Sequence, residues 1–158
     1  MNRIDNNNLV KIGIVVENIE IAANSYCDLF GLEFPEIQLP SSEFKPDPTG
    51  ETYTWYRGEF VPSRTKFANL QMGPITIELL EPFDEASAWN EFKEKHGTGV
   101  HFITFTVNGF ERHINFVEEK GMPLIHKGEY ESGRYGYFDS IANLGVMLGL
   151  QEIGKKGK

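Results

Sequence analysis

Two charged residues interrupt otherwise apolar segments, and their types suit acid–base chemistry. Lys11 lies in VKIGIVV and Glu78 lies in PITIELLE. A carboxylate can take up and return a proton, while an ammonium group stabilises negative charge that develops on a neighbouring oxygen. The two residues therefore suit proton transfer beside a carbonyl group, with Glu78 as the catalytic base and Lys11 as the electrophile.

The same two residues are expected to form an ion pair. A carboxylate in a cleft is costly unless a cation neutralises it, and Lys11 brings a charge of the right sign. We predict that the two groups lie within reach of a salt bridge or of a bridging water. The alternative is that either side chain bends out to solvent along its stem.

The segment around Lys11 has a counterpart in the second half of the chain. VKIGIVV at residues 10–16 aligns with HFITFTV at residues 101–107, and Lys11 matches Phe102. After each strand come a turn with asparagine, an amphipathic helix ending near a glycine, and further strands. The pattern predicts one α+β domain over residues 1–158. It consists of two β-α-β-β-β modules at about 9–82 and 99–153, with a connecting helix over 84–95.

Alternation of side chains gives each strand two faces, of which one packs beneath a helix. The other face stays free, so two curved mixed sheets are expected to face a central cleft that binds a ligand. The positions aimed into the cleft are Lys11, Glu78, Phe102 and Gly149, with Gly13, Leu80, Thr104, Met147 and Gln151 as neighbours.

Composition excludes several classes of partner. A formal charge of −8 disfavours nucleic acid and anionic membranes, because a phosphate backbone needs a basic surface. The chain has no apolar run of membrane-spanning length, and its first eight residues are polar. The single cysteine, Cys27, cannot pair within the chain. We expect a cytoplasmic protein whose partner is a small molecule.

Four stretches resemble the vicinal oxygen chelate superfamily, which includes glyoxalase I, methylmalonyl-CoA epimerase, bleomycin-resistance proteins and extradiol dioxygenases. They are KIGIVVENIEIAANSYCDLFGL, ITIELLEP, SAWNEFKEKHGTGVHFITFTV and YFDSIANLGVMLGLQE. The likeness covers about residues 10–152 and implies a glyoxalase-like fold. The last two stretches look most like methylmalonyl-CoA epimerase and lactoylglutathione lyase-related proteins. One fold hosts many reactions, so the substrate does not follow from the likeness.

The resemblance also implies a divalent metal held by one ligand from each of four cleft strands. Carried over, these positions are Lys11, Glu78, Phe102 and Gly149, and only Glu78 offers a ligand. We therefore predict no metal cofactor. If a metal is present, Glu78 and His101 are the candidate ligands. Alternation places His101 on the helix side as a packed or rim residue, unless a β-bulge shifts the strand.

The other histidines lack the local spacing of a metal pair. His96 and His113 are expected to be exposed on helices, and His126 could reach the mouth of the cleft.

Three functions stay open at this point. The first is a lyase or isomerase of the epimerase type, with Tyr135 or Tyr137 as a second proton-transfer group. The second is sequestration, as in bleomycin-resistance proteins, in an aromatic cleft that includes Tyr53 and Phe138. The third is metal-dependent chemistry with unusual ligands. The predicted substrate-binding residues are Phe102, Thr104, Met147, Gly149, Gln151, Trp55 and Tyr137.

Charged residues at the rim could recognise an anionic part of the ligand. The candidates are Arg57, Arg64, Lys66 and Arg134, and a solvated strand edge is the alternative for each. The cleft closes either within one chain or across a homodimer.

Overall fold

The computed structural model describes residues 1–40 and 52–155, and one mixed sheet of nine strands dominates this part of the chain. The strands are β1 Leu9–Val15, β2 Tyr53–Tyr56, β3 Glu59–Phe60, β4 Thr65–Met72, β5 Ile75–Pro82, β6 Gly99–Thr106, β7 Leu124–Tyr130, β8 Gly133–Phe138 and β9 Met147–Ile153. The helices are α1 Ile19–Phe30, α2 Ala88–His96, α3 Phe110–Glu119 and α4 Ile141–Leu144. The predicted α+β class is confirmed.

The two halves of the chain join edge to edge. The strand order is β3-β2-β7-β8-β9-β6-β1-β5-β4. β1 and β6, which carry the two aligned segments, pair antiparallel in the middle, and each pairs on its other side with a parallel strand, β5 or β9. The two sheets expected from the sequence are therefore one curved sheet around a central cleft.

Capping residues explain where α1 and α2 begin. Asn18 Oδ1 accepts the backbone N–H of Ile21 at 2.9 Å, and α1 gives way to Gly31 in the left-handed conformation, as the sequence predicts. α2 begins at Ala88 rather than at residue 84, because Ser87 Oγ accepts the backbone N–H of Asn90 at 3.1 Å. The connecting helix is thus four residues shorter at its start than predicted.

A carboxylate from another strand caps α3. Glu152 Oε2, on β9, accepts the backbone N–H groups of Gly109 and Phe110, the latter at 2.9 Å. A negative charge at a helix N-terminus is favourable, because it meets the positive end of the helix dipole. This contact ties the second helix of the repeat to the last strand.

Two expectations about the first half are corrected. Residues 32–39 do not form the predicted strand; Gln38 makes an isolated bridge with Phe67. Residues 53–60, which the predicted bounds place in the first module, form the hairpin β2–β3, and β2 pairs antiparallel with β7 of the second module. The edge of β7 offers unpaired backbone groups, which the hairpin satisfies. The long loop predicted over residues 40–51 lies outside the described residues, except for residue 40.

The core is divided between the two faces of the sheet. On the outer face, α1 covers a cluster that includes Ile19 and Leu79, and α3 covers a cluster that includes Phe110 and Leu150. On the inner face, α2 contributes Trp89 to a cluster with Val15, Leu80, Phe102, Ile125, Tyr137 and Met147. The inner cluster forms the floor of the cleft. None of the helices in the described ranges has the length and apolar character needed to cross a membrane.

Candidate functional site

The inner face of the sheet encloses a cavity of about 460 Å³, a volume typical of small-molecule sites. Aromatic and aliphatic side chains alternate with a few polar groups around it. The lining residues are Lys11, Pro40, Thr54, Ser63, Arg64, Thr65, Phe67, Glu78, Leu80, Trp89, Phe102, Thr104, Tyr130, Tyr135, Tyr137, Leu150 and Gln151.

Lys11 and Glu78 form an ion pair in the cavity wall. They lie on the parallel neighbours β1 and β5, and Lys11 Nζ donates to Glu78 Oε2 at 3.0 Å. The side chains are 24% and 13% exposed, so both charges are largely withdrawn from water and still reach the cavity. The contact predicted from the sequence is present.

Four aromatic residues, which we call the aromatic wall, line one side of the cavity: Trp89, Phe102, Tyr135 and Tyr137. The rings of Phe102 and Tyr137 stack with centroids 4.6 Å apart, and the centroids of Tyr135 and Tyr137 are 5.3 Å apart. Aromatic contacts of this kind add to the stabilisation from buried area. The wall therefore offers a rigid apolar surface to a ligand.

Two glycines make room for the rings of this wall. Gly13 lies opposite Phe102 in the β1–β6 register, and a Cβ atom at Gly13 would lie 2.1 Å from the Phe102 ring. Gly128 has the same relation to Tyr135, again at 2.1 Å. Glycine in a strand allows this close approach, because it has no side chain. These glycines thus hold the two rings flat against the sheet.

A β-bulge places His101 on the cavity side of β6, behind the aromatic wall. Gly13 pairs with Phe102 while Ile14 pairs with Val100, so His101 is the extra residue. Alternation predicts the opposite direction. The His101 ring is fully buried, its Nε2 atom lies 3.2 Å from the Ala88 carbonyl oxygen, and its centroid is 5.3 Å from that of Tyr137. It is a packed residue, as expected, but it packs beneath α2.

His126 is the second buried histidine behind the wall and does not reach the mouth of the cleft. Its Nδ1 atom accepts the Ala88 N–H at 3.4 Å, and its Nε2 atom lies 3.1 Å from the Tyr135 hydroxyl oxygen. Burial lowers the pKa of His126 to about 3 and that of His101 to about 4. Both rings are therefore neutral at pH 7.

The two tyrosines of the wall keep their protons at neutral pH. Burial raises the pKa of Tyr135 and of Tyr137 well above the ordinary value, and the negative charge of Glu78 adds to the rise for both. A protonated phenol can donate a hydrogen bond to a ligand. The wall thus combines an apolar surface with two potential donors.

The structure brings most of the predicted substrate-binding residues together. Phe102, Thr104, Gln151 and Tyr137 contribute to the cavity wall, whereas Met147, Gly149 and Trp55 do not. Met147 packs in the inner core. Gly149 lies so close to Thr104 that a Cβ atom at Gly149 would be 2.6 Å from Thr104 Oγ1.

The orientation of Trp55 shows that the sequence does not reveal which face of a strand points into the cavity. Thr54, the residue before Trp55, is buried and faces the cavity. Because side chains alternate along β2, Tyr53 and Trp55 lie on the opposite face of the strand. Thr54, Ser63, Thr65 and Tyr130 are lining residues that the sequence does not single out. The alternation itself is visible in the sequence, but the partner strand that decides which face is inward is not.

The candidate rim cations are each paired with carboxylates. Arg57 bonds Glu91 at 2.7 and 2.6 Å, and this lowers the pKa of Glu91 to about 2. Arg64, which lines the cavity, pairs with Glu85, and Lys66 pairs with Glu81. Of these, Arg64 is the residue placed to meet a ligand.

Arg134 is neither at the rim nor at a solvated edge, since its side chain is 4% exposed. It bonds both oxygens of Glu129 at 3.0 and 3.2 Å and Glu152 Oε1 at 2.6 Å. Buried charges of this kind are stable only when fully paired. Another correction concerns His113, which is fully buried and bonds the Gly109 carbonyl oxygen at 2.8 Å.

The four positions that correspond to the expected metal ligands do not fit a divalent ion. Glu78 supplies one carboxylate, Lys11 is a cation bonded to it, and the side chains of Phe102 and Gly149 hold no donor atom. Among the described residues, no group of three or more histidine, cysteine, aspartate and glutamate residues could hold a metal.

The curved mixed sheet with its ligand-sized central cleft defines a class of α+β proteins, and a family model identifies it. The Glyoxalase/Bleomycin resistance protein/Dioxygenase superfamily matches residues 11–138. The chain belongs to this superfamily, which confirms the resemblance seen in the sequence.

Three relatives illustrate the range of the likeness. Uncharacterized protein YqjC of Bacillus subtilis (strain 168) is 26% identical over 127 residues, which cover 80% of this chain and 73% of the relative. Hypothetical protein BH1468 from Bacillus halodurans C-125 superposes with a TM-score of 0.60 at 24% identity, over 96% of this chain and 97% of the other. Methylmalonyl-CoA epimerase from Mycobacterium tuberculosis superposes with a TM-score of 0.56 at 21% identity, over 94% and 89%. The two structural likenesses establish the fold alone.

Proposed function

We propose that this protein binds a small carbonyl-containing organic molecule in its central cavity and transfers a proton beside the carbonyl, as a metal-independent lyase or isomerase. The observation that carries the proposal is the Lys11–Glu78 ion pair in the cavity wall, with Nζ and Oε2 3.0 Å apart. Glu78 acts as the base, and Lys11 stabilises the negative charge that develops on the carbonyl oxygen.

The position of the pair supports this division of roles. Lys11 and Glu78 are two of the positions at which the family likeness implies metal ligands, and the Lys11 ammonium brings a positive charge to 3.0 Å from the Glu78 carboxylate. A preorganised charge in a site with little water acts more strongly than it would in solution. The fold is also that of methylmalonyl-CoA epimerases, which act on a thioester.

Deuterium exchange tests the proposal directly. The protein is incubated in D₂O with methylmalonyl-CoA, other thioesters and 2-oxo acids, and exchange at the carbon next to the carbonyl is followed by NMR. We expect exchange with at least one compound and a loss of about a hundredfold or more in Glu78→Gln, since a positioned base contributes on the order of 10²–10⁴.

Glu81→Gln is the matched control. Glu81 lies on the same strand, is 19% exposed and pairs with Lys66 at 3.2 Å, but it does not line the cavity. We expect this variant to exchange at the wild-type rate. Equal loss in both variants, or exchange unaffected in Glu78→Gln, would refute the role of Glu78.

Metal content separates the proposed mechanism from a metal-dependent one. We expect the purified protein to contain no stoichiometric nickel, zinc, cobalt or manganese, because a single carboxylate bonded to a lysine is a poor ligand set. Elemental analysis that finds one such ion per chain, together with exchange that a chelator abolishes, would overturn the metal-independent proposal.

Sequestration is the second candidate, and the aromatic wall favours it. The stacked Phe102 and Tyr137 rings suit a flat apolar molecule, and such a molecule is held without any chemical change. Tight binding of an aromatic compound with no exchange in any candidate substrate would select this function.

A further inference from the structure

Three hydrogen-bonding groups form a chain that runs from the start of α2 to the cavity. The Ala88 N–H donates to His126 Nδ1 at 3.4 Å, and His126 Nε2 lies 3.1 Å from the Tyr135 hydroxyl oxygen. His126 is fully buried, while Tyr135 is partly exposed and lines the cavity. The chain therefore links a fixed backbone group to a group that a ligand can touch.

The position of each hydrogen follows from the chemistry of imidazole. A neutral ring has one N–H and one unprotonated nitrogen. Because Nδ1 accepts the Ala88 N–H, the ring proton is on Nε2, and this N–H donates to the Tyr135 oxygen. Burial lowers the pKa of His126 to about 3, so the ring stays in this neutral form.

The Tyr135 hydroxyl is then left with a proton to donate. Its oxygen accepts from His126, so its proton points away from His126, towards the neighbouring Tyr130 hydroxyl and the cavity that both tyrosines line. The ring cannot move away easily, because it lies flat over Gly128 and stacks on Tyr130 with centroids 6.1 Å apart. The cavity is the space in which an acceptor for this proton can lie.

We infer that Tyr135 is a recognition residue that donates a hydrogen bond to the carbonyl oxygen of the ligand, and that His126 is the positioning residue that sets this direction. The inference rests on the proposed function for the class of ligand. It goes further by naming a neutral donor to the carbonyl oxygen, in addition to Lys11, and the buried residue that orients this donor.

The first test needs no ligand. A long-range ¹H–¹⁵N NMR spectrum of the wild-type protein assigns the tautomer of each histidine. We expect Nε2 of His126 to be protonated and Nδ1 to be unprotonated, with the Nε2 signal shifted in Tyr135→Phe. A ring protonated on Nδ1 would overturn the positioning role.

The second test uses two probes of nearly the same shape, acetophenone and ethylbenzene, which differ in a carbonyl oxygen. We expect wild type to prefer acetophenone, and Tyr135→Phe to reduce that preference by about two- to tenfold, the worth of one hydrogen bond. Binding is measured by ligand-observed NMR titration. Tyr53→Phe is the control, because Tyr53 lies on the outward face of β2, and it should keep the full preference.

Two substitutions of the histidine separate positioning from structure. The amide N–H of Gln reaches the place of Nε2, so His126→Gln should keep most of the preference; Asn is too short to reach Tyr135, so His126→Asn should lose it. An unchanged preference in Tyr135→Phe, equal effects of the Gln and Asn variants, or no binding of acetophenone by wild type would each overturn the inference. Absence of proton exchange would instead refute the proposed function and leave both tests intact.

Discussion

Lowering the pH from 7 to 5 should destabilise this protein through the two histidines behind the aromatic wall. Burial lowers the pKa of His101 to about 4 and that of His126 to about 3, whereas both groups titrate near 6.5 in an unfolded chain. Below pH 6.5 the unfolded state binds protons that the folded state does not. The contribution of the two neutral histidines to the free energy of unfolding is therefore fully present above pH 6.5. It decreases as the pH falls, until the pH reaches the pKa of each histidine in the folded state.

The size of the loss follows from the two pKa values. One pKa unit corresponds to about 1.4 kcal/mol, and pH 5 lies about 1.5 units below the unfolded pKa, so each histidine costs about 2 kcal/mol there. Two such residues together lower the free energy of unfolding by about 4 kcal/mol. Glu91, whose pKa is lowered to about 2, loses its contribution only at lower pH and does not obscure this range.

Urea unfolding at pH 7 and pH 5 measures the effect. In His126→Gln we expect the difference in unfolding free energy between the two pH values to shrink by about 2 kcal/mol, because one of the two titrating groups is gone. His96→Gln is the matched control, since it makes the same exchange at an exposed histidine outside the aromatic wall. A wild-type protein equally stable at both pH values would refute the reasoning.

Two further predictions concern packing and buried charge. Gly13→Ala forces a methyl group against the Phe102 ring, so we expect the free energy of unfolding in urea to fall by about 1–3 kcal/mol. The double variant Gly13→Ala/Phe102→Leu should recover part of this loss. No recovery would argue against this clash. Arg134→Met leaves the buried Glu129 without its cation, and we expect a loss of about 3–5 kcal/mol. Arg57→Met removes an arginine whose side chain is 43% exposed, so it should lower the free energy of unfolding by about 1 kcal/mol or less. Similar losses in Arg134→Met and Arg57→Met would contradict the argument.

The repeat predicts much of the fold because both halves bury one face of each strand. Alternation in VKIGIVV and HFITFTV indicates the strands, and Asn18 and Gly31 mark the ends of α1. The location of β2–β3 could not be predicted, because strand pairing over long separations leaves no local pattern. Residues 32–39 also carry apolar side chains, but in the structure they form one isolated bridge, between Gln38 and Phe67, rather than a strand.

The ion pair of the candidate site could be predicted, since two opposite charges on inward positions need each other. The direction of His101 could not, because an extra residue in β6 reverses the alternation and no residue type marks that bulge. The role inferred for His126 depends on Ala88 and Tyr135, which come together only in the folded chain. Strand phase alone decides that Thr54 rather than Trp55 faces the cavity.

The hairpin β2–β3 belongs to the first half of the chain in sequence and to the second in space. Its partners on β7 come about seventy positions later, so a growing chain cannot complete the cavity wall until most of the second half has been made. Contacts over such separations form late, because closing a long loop costs entropy. A ligand that contacts both sides of the cavity binds only after the sheet is complete. Its binding energy therefore stabilises both halves of the chain together.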